Sequence, residues 1–284
     1  MSTTDSSSPS EGTPPAGPPL TVTLLGTGTS TGVPVIGCDC EVCTSTDSRD
    51  TRTRCSCYVE AGPLGILIDT GPDLRAQVLR EDIARIDAVC YTHHHFDHLV
   101  GIDDLRPFFF RNGQVMPCYA PAETAAVMRR NYDYIFGRDP YPGAANVEVR
   151  VVDDPFCITS RHDDTASVRV CPIPLLHGDM RVYGYRIGRF AYCTDASDIP
   201  DASLALLDGV EVLVLDALRP RPHPTHFAFD EAVRMARRIG ARETYFVHMT
   251  HAVRHAAQEP RLPDDVHLGY DGLTFDVAGP DDCR

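Results

Sequence analysis

The sequence predicts a mixed α/β (α+β) domain with two strand-rich halves, and three observations support this fold class. Short apolar runs of strand length alternate with turns from Leu20 onward. Helix-like stretches fall between clusters of strands, so the pattern is not a simple repeat of strand, helix and strand. No internal repeat or linker follows Leu20 in this chain of 284 residues, a length that suits one large domain. We therefore expect residues 20–284 to form a single domain.

The predicted elements follow in order along the chain. Residues 1–19 are mostly Ser, Thr, Gly and Pro, which predicts a disordered tail. Helices are predicted at Asp73–Glu81, after the Gly71-Pro72 break, at Ala122–Tyr134 and at Asp230–Ile239. Strands are predicted at Thr21–Leu25, Cys57–Glu60, Gly65–Asp69, Ala88–Thr92, Val168–Ile173, Val182–Ile187, Phe190–Thr194, Val212–Asp216 and Glu243–Val247.

Composition excludes several classes of function. The formal net charge of −14 disfavours long nucleic acid as a partner, because phosphate binding needs a basic surface. No apolar run reaches the roughly 20 residues of a membrane span, and no secretory leader is visible. We expect a cytoplasmic protein without a membrane partner. Its 11 cysteines then suggest reduced thiols and metal ligation rather than a disulfide framework.

The segment Tyr91–His98 carries the strongest chemical signal. An apolar strand runs into a loop in which His93, His95, Asp97 and His98 are closely spaced. Imidazole and carboxylate groups together suit borderline divalent ions. Six residues cannot surround one ion with four ligands without strain, but they can supply two adjacent ions. The spacing therefore predicts a two-metal hydrolase, with His94 pointing away from the ions.

Four further polar residues stand at the ends of predicted strands, where rigid strands hold functional loops. They are Asp69, His177, Asp195 and His248. A lone histidine at a strand end is usually an ordinary surface or core residue. Four such positions beside the histidine segment favour a shared site.

A second metal site is predicted near the N-terminus. Cys38, Cys40 and Cys43 supply three thiols within six residues, which suits one face of a tetrahedral zinc ion. His251, three residues after His248, is the candidate fourth ligand. Free cysteines or a local disulfide are the alternatives. A glycine-rich run at residues 26–34 precedes these cysteines. It lacks the Gly-Lys-Ser/Thr ending of a phosphate-binding loop and predicts a tight turn.

Together these residues resemble the metallo-β-lactamase superfamily over about residues 21 to 275. The resemblance implies a four-layer αββα sandwich with the site at one edge of two sheets. It implies that His93, His95 and His177 hold one metal, that Asp97, His98 and His248 hold a second, and that Asp195 bridges them. Asp69 would brace the metal loop by hydrogen bonding.

One branch of the superfamily is a better match: the phosphoribosyl cyclic phosphodiesterases of the carbon–phosphorus lyase pathway. The matching features are the glycine-rich run, the cysteine cluster, the run Gly101–Arg106 and the segment His248–His251. The resemblance implies manganese or zinc in the paired site, one structural zinc, a small phosphorylated substrate such as a ribose 1,2-cyclic phosphate, and a homodimer.

His226 resembles the histidine that diesterases of this superfamily place beside the leaving oxygen; a helix cap is the alternative. Two ions would activate a hydroxide held near Asp195 and Asp97, and His226 would protonate the departing oxygen. Arg106 would clamp a second phosphate, or would form a surface ion pair with Asp103 or Asp104. His223 is a bystander or a substrate contact.

Other functions remain open at this point. A tRNA 3′-processing endoribonuclease shares the paired site but usually carries a basic arm, which this acidic chain lacks. A thioester hydrolase, a lactonase or another small-molecule hydrolase of this fold is a second alternative. A non-catalytic metal protein is a third.

Overall fold

The computed structural model describes residues 19–139, 141–161, 163 and 165–279. The strands are β1 Leu20–Gly26, β2 Ser56–Ala61, β3 Leu64–Ile68, β4 Ala88–Cys90, β5 Met116–Ala120, β6 Val147–Val151, β7 Phe156–Thr159, β8 Ser167–His177, β9 Met180–Ile187, β10 Phe190–Cys193, β11 Val212–Asp216, β12 Glu243–Val247, β13 Val266–Leu268 and β14 Leu273–Val277. The α-helices are α1 Leu74–Arg80, α2 Phe96–Leu99, α3 Arg106–Asn112, α4 Ala122–Asn131, α5 Asp133–Phe136, α6 Asp201–Leu206, α7 Phe229–Ile239 and α8 His255–Gln258.

The described strands form two seven-stranded sheets of similar plan. The first sheet has the order β14-β1-β2-β3-β4-β5-β6, and the second has the order β13-β12-β11-β10-β9-β8-β7. Strands β3 to β6 are mutually parallel, as are β10 to β13. Because the carboxyl ends of parallel strands meet at one edge of a sheet, the loops after β3, β4, β10, β11 and β12 can converge.

Three apolar clusters define four layers. The largest lies between the sheets and joins residues such as Val22 and Ile66 to Tyr185 and Val214. A second covers the outer face of the first sheet with the apolar sides of α1, α3 and α4, and a third covers the second sheet with α7. Burial of these apolar faces is the main stabilising term of such a sandwich. The αββα architecture implied by the family resemblance is confirmed.

Several elements were missed or misjudged from sequence. Strands β5, β6, β7, β13 and β14 and helices α2, α3, α6 and α8 were not predicted. Strand β6 lies at a sheet edge with much of its length exposed, so it lacks the buried apolar run that marks a strand. The predicted helix Ala122–Tyr134 is broken at Tyr132, whose φ of −116° and ψ of 53° are not helical.

Three other predictions, on the N-terminal tail, on membrane spans and on the cysteines, can be compared with the structure. Most of the predicted tail lies outside the described residues. No described helix is long and apolar enough to cross a membrane. Nine cysteines in the described part of the chain are free thiols, whereas Cys157 is disulfide-bonded, so the expectation of reduced thiols does not extend to that position.

Candidate metal centre

The loops that follow the parallel strands carry the candidate ligands. Asp69 follows β3 and His248 follows β12 directly, while Asp195 lies two residues beyond β10. All three adopt positive φ angles, of 63°, 63° and 53° respectively. Non-glycine residues rarely hold this left-handed conformation, and those that do concentrate at functional sites. The backbone strain therefore marks the same edge of the sandwich that the sequence pattern indicated.

Four of the predicted ligands form a tight buried group: Asp97, His98, Asp195 and His248. Each offers a donor atom, and these atoms lie within 4.8 Å of one another. The Nε2 atom of His98 lies 3.1 Å from Asp195 Oδ2 and 3.2 Å from Asp97 Oδ2. The Nε2 atom of His248 lies 3.2 Å from Asp195 Oδ1. These residues are the set predicted for the second ion, with Asp195 as the bridge.

The set predicted for the first ion also gathers at this place. The ring centroid of His93 lies 4.6 Å from that of His95 and 5.8 Å from that of His177, and the rings of His95 and His177 are 5.3 Å apart. His93 Nε2 lies 3.8 Å from Asp195 Oδ1. His177, Asp195 and His226 offer donor atoms that lie within 4.8 Å of one another. The three rings are therefore mutual neighbours, and His93 and His177 also adjoin Asp195.

The tautomers of these histidines fit a cation. The Nδ1–H groups of His93, His98 and His177 donate to Thr92 Oγ1, Asp69 Oδ2 and Thr225 O, at 3.0, 2.7 and 2.7 Å. In the neutral rings this leaves Nε2 unprotonated and directed to the cluster. The Nε2 atoms of His93, His98 and His248 are buried without a hydrogen-bond partner in the described part of the chain. Buried lone pairs beside carboxylates are suited to divalent ions.

Asp69 braces the loop, as the family resemblance implied. Its fully buried carboxylate accepts hydrogen bonds from Thr92 N and Thr92 Oγ1, both at 2.8 Å, and from His98 Nδ1. Burial raises the pKa of Asp69, although the neighbouring His98 opposes this shift. Burial also lowers the pKa of His98, but Asp195, Asp97 and Asp69 outweigh it and raise that pKa well above its usual value. The surplus of carboxylates thus favours positive charge at this position.

The sequence interpretation missed Asp216, which lies next to Asp195, His226 and His248. Its buried carboxylate accepts from His226 Nδ1 at 3.0 Å, from Phe227 N at 3.0 Å and from Asp195 N at 3.2 Å. The Oδ1 atom of Asp216, which accepts from His226 and Asp195, also lies 3.7 Å from His248 Nδ1. One carboxylate therefore fixes the positions of three site residues. The available signal was its place at the end of strand β11, the rule that had selected Asp69 and Asp195.

His226 lies against the paired site rather than at a distance from it. Its ring centroid is 4.5 Å from that of His177 and 4.6 Å from that of His248, with which it stacks. Since Nδ1 is engaged by Asp216, Nε2 is the nitrogen left to face the cleft. Burial lowers the pKa of His226 to about 4, so without ions or substrate the ring is neutral at pH 7.

The predicted zinc site also assembles. The Sγ atoms of Cys38, Cys40 and Cys43 lie 3.3, 3.6 and 3.5 Å from His251 Nδ1, and the four donor atoms are mutually within 4.8 Å. A backbone N–H of Cys43 donates to Cys40 Sγ and lowers the pKa of that thiol to about 6. Burial raises the pKa of the Cys43 thiol to about 11, so Cys40 is the thiol that most readily binds as a thiolate. Three partly exposed thiols facing an imidazole suit a tetrahedral zinc ion.

The glycine-rich run hydrogen-bonds to the backbone that lies between the paired site and the cysteine site. Met249, between His248 and His251, donates its N–H to Thr27 O at 3.0 Å and accepts from Thr29 N at 3.1 Å. Gly28 must be glycine because a Cβ atom there would lie 2.7 Å from Arg52 O. The run serves as the structural turn that the sequence predicted, and it fixes the backbone that carries His248.

Arg106 and His94 lie outside the donor clusters of the described residues. The Arg106 guanidinium forms a two-pronged ion pair with Asp103, with Nε 2.7 Å from Oδ1. The structure therefore shows the ion pair that the sequence had left as an alternative to a phosphate clamp. His94 is half-buried and its ring lies 5.7 Å from that of His95.

Comparison with known proteins agrees with the fold. The family model described as a β-lactamase superfamily domain matches residues 65–249, more than half of the chain. The chain belongs to the metallo-β-lactamase superfamily and is a metal-dependent hydrolase. It is PhnP-like: a crystal structure described as a new diphosphatase from the PhnP family is 43% identical, with a TM-score of 0.83, over 91% of this chain and 97% of that chain.

Other similar proteins are either matched over only part of their length or share less of their sequence with this chain. An octanoyltransferase of Porphyromonas gingivalis is 39% identical over 256 residues, which are 88% of this chain, but the chain spans only about half (50%) of that relative's length. PqqB of Methylobacterium extorquens is 21% identical, with a TM-score of 0.69, over 90% of this chain and all (100%) of that one. Human short-form tRNase Z is 16% identical, with a TM-score of 0.64, over 90% and 98% of the two chains. The last two similarities show a shared fold.

Proposed function

We propose that this chain hydrolyses a small phosphorylated metabolite at a phosphodiester or diphosphate linkage, with a ribose 1,2-cyclic phosphate as the first substrate to test. The observation that carries the proposal is the position of His226 beside the paired cluster, with Nδ1 held by Asp216 and Nε2 free to face a leaving oxygen. The PhnP-family diphosphatase supports the same class of bond.

Each candidate ligand has a place in this proposal. His93, His95 and His177 would hold one divalent ion, Asp97, His98 and His248 the other, and Asp195 both. When bound, the two ions supply Lewis acidity that activates water and neutralises charge on the phosphate. Manganese and zinc both suit these donors. The cluster of Cys38, Cys40, Cys43 and His251 would hold a separate structural zinc.

The residues around the ions orient the reaction. Asp69 keeps the proton of His98 on Nδ1 and so keeps Nε2 available to a metal. Asp216 keeps the proton of His226 on Nδ1, and this hydrogen bond would stabilise the ring when Nε2 also carries a proton. His226 can then give a proton or a hydrogen bond to the oxygen that departs from phosphorus.

The direct test is the pair of variants His226→Ala and His94→Ala. We expect His226→Ala to keep its metals but to lose about 10²- to 10⁴-fold in turnover, the usual contribution of a positioned acid. His94 lies in the same loop as the ligands but outside the donor clusters, so His94→Ala should retain both metals and turnover. Equal turnover by the wild type and His226→Ala would rule out this role for His226.

A substrate panel tests the reaction class. We expect hydrolysis of the cyclic ribose phosphate and of bis-p-nitrophenyl phosphate, and little of pre-tRNA because the chain is acidic. The relative from Porphyromonas gingivalis favours a second candidate, because it is described as an octanoyltransferase. That candidate is hydrolysis of an octanoyl thioester. Turnover of an octanoyl thioester with no turnover of either phosphate would replace the proposal by that candidate.

A further inference from the structure

The side chain of Asp195 has two carboxylate oxygens that face different histidines. Oδ2 lies 3.1 Å from His98 Nε2, whereas Oδ1 lies 3.2 Å from His248 Nε2 and 3.8 Å from His93 Nε2. His98 and His248 belong to the set predicted for one ion, and His93 belongs to the set predicted for the other. A rotation of this carboxylate would therefore disturb both sets, so its orientation must be held by a neighbouring group.

The hydroxyl of Thr194 is that neighbouring group. Thr194 directly follows β10, is fully buried, and donates its Oγ1 proton to Asp195 Oδ2 at 2.9 Å. Histidines aside, this hydroxyl is the only hydrogen-bonding partner of the carboxylate within the described part of the chain. The backbone of Asp195 is held separately, because its N–H donates to Asp216 Oδ1 at 3.2 Å. Thr194 therefore controls the side chain of Asp195, and Asp216 controls its backbone.

The Thr194 hydroxyl is in turn supported from the other sheet. It interacts with the thiol of Cys55, a fully buried residue that directly precedes β2 of the first sheet. Burial raises the pKa of the Cys55 thiol well above its usual value, so the thiol keeps its proton. Because the single hydroxyl proton of Thr194 is directed to the carboxylate, the hydroxyl oxygen can only accept from this S–H group. A chain of polar groups thus connects the first sheet to Asp195.

We propose that Thr194 is a positioning residue for the paired centre, because its hydroxyl fixes the rotation of the Asp195 carboxylate and so allows one side chain to serve both ions. The inference rests on the proposed function, in which Asp195 is the shared ligand, but it does not depend on which bond is hydrolysed. Thr194 acts through Asp195 and not by contact with the substrate. Thr92 provides a parallel, since its hydroxyl donates to the Asp69 carboxylate at 2.8 Å.

The expected effect of the hydroxyl is on metal affinity. A carboxylate that can rotate freely must lose that freedom when the ions bind, and a hydrogen bond that orients it beforehand removes this cost. Loss of a group that supports a metal ligand in this way lowers metal affinity about 10- to 100-fold. The cysteine site provides an internal reference, because its four ligands lie outside this chain of hydrogen bonds.

The test compares Thr194→Val, which keeps the shape of threonine but lacks the hydroxyl, with Thr194→Ser, which keeps the hydroxyl but lacks the methyl group. Affinity is measured by competition with a coloured chelator, and metal content by elemental analysis after dialysis. We expect the ions of the paired site to bind about 10- to 100-fold more weakly to Thr194→Val and within about threefold of the wild type to Thr194→Ser. The zinc of the cysteine site should be unchanged in both variants.

The matched control is Thr21→Val. The Thr21 hydroxyl also donates to an aspartate, Asp276 Oδ1 at 2.8 Å, but at an exposed position where β1 pairs with β14. This control should bind all ions with the affinity of the wild type. If Thr194→Val does not fold, Thr194→Ala replaces it, because alanine and serine at this position differ by the hydroxyl alone.

The outcomes separate this inference from the proposed function. Wild-type affinity in the variant that lacks the hydroxyl, or equal losses in that variant and in Thr194→Ser, would overturn the role of Thr194. Retention of all ions by Asp195→Ala would instead contradict the shared ligand of the proposed function. Loss of ions from Asp195→Ala without loss from Thr194→Val would overturn this inference alone.

Discussion

The substitution Asp69→Asn is expected to weaken metal binding without unfolding the protein. Asparagine has the shape of aspartate, so packing at this fully buried position is preserved. One side-chain oxygen can still accept from Thr92 N. The amide nitrogen, however, would face His98 Nδ1, where the aspartate oxygen now accepts at 2.7 Å. Two donors cannot share that contact, so the proton of His98 is expected to move to Nε2.

This change of tautomer sets the size of the effect. A hydrogen bond to a charged group contributes about 1.5–3 kcal/mol, which corresponds to about one to two powers of ten in affinity. His98 Nε2 faces Asp97 and Asp195 at 3.2 and 3.1 Å and would no longer offer a lone pair to an ion there. We therefore expect one ion to bind about 10- to 100-fold more weakly, in line with other losses of a carboxylate behind a metal-bound histidine.

The assay is competition with a coloured chelator, combined with elemental analysis of the dialysed protein. The control is Asp201→Asn, whose carboxylate is 89% exposed and pairs with Arg238 at the surface, where an ion pair contributes little. If Asp69→Asn and the wild type bind both ions with affinities within about twofold, the tautomer argument is wrong.

Three further predictions concern other parts of the chain. Cys43→Ser should lose zinc from the cysteine site but keep the other two ions, and unchanged zinc content would exclude Cys43 as a ligand. Gly71→Ala would place a Cβ atom 2.3 Å from Asp97 O, so it should shift the metal loop, destabilise the fold by roughly 1–3 kcal/mol and reduce metal content; a wild-type urea midpoint and full metal content would contradict this. Arg49 holds the pKa of Asp47 at about 2, below its unfolded value of about 3.9, so this carboxylate stabilises the fold above about pH 4 and loses that effect as pH falls toward 2. The urea midpoints of the wild type and Asp47→Asn should therefore converge at low pH, and a constant difference from pH 6 to pH 2 would refute the assignment.

The local part of the site was predictable from sequence because neighbouring residues define it. His93, His95, Asp97 and His98 lie within six positions, and their chemistry restricts what they can bind. The distant ligands were recognisable as polar residues at strand ends. The two sheets then bring those strand ends to one edge, which spacing alone does not reveal.

The parts that sequence did not predict depend on tertiary position. Asp216 stands at a strand end like Asp69, but its importance comes from accepting hydrogen bonds from Asp195 and His226, residues 21 and 10 positions away. Arg106 was left undecided because a phosphate clamp and a surface ion pair require the same residue type. The position of Asp103 one helical turn away decides the geometry, and it favours the ion pair.

Metal stoichiometry in the wild type and in Asp195→Ala tests the paired centre most directly. If the clustered side chains hold two neighbouring cations through a shared Asp195, the purified wild type should contain three ions per chain and Asp195→Ala should retain chiefly the zinc of the cysteine site. Equal ion counts in the two proteins, or a wild type that binds no ion beyond that zinc, would contradict the paired centre.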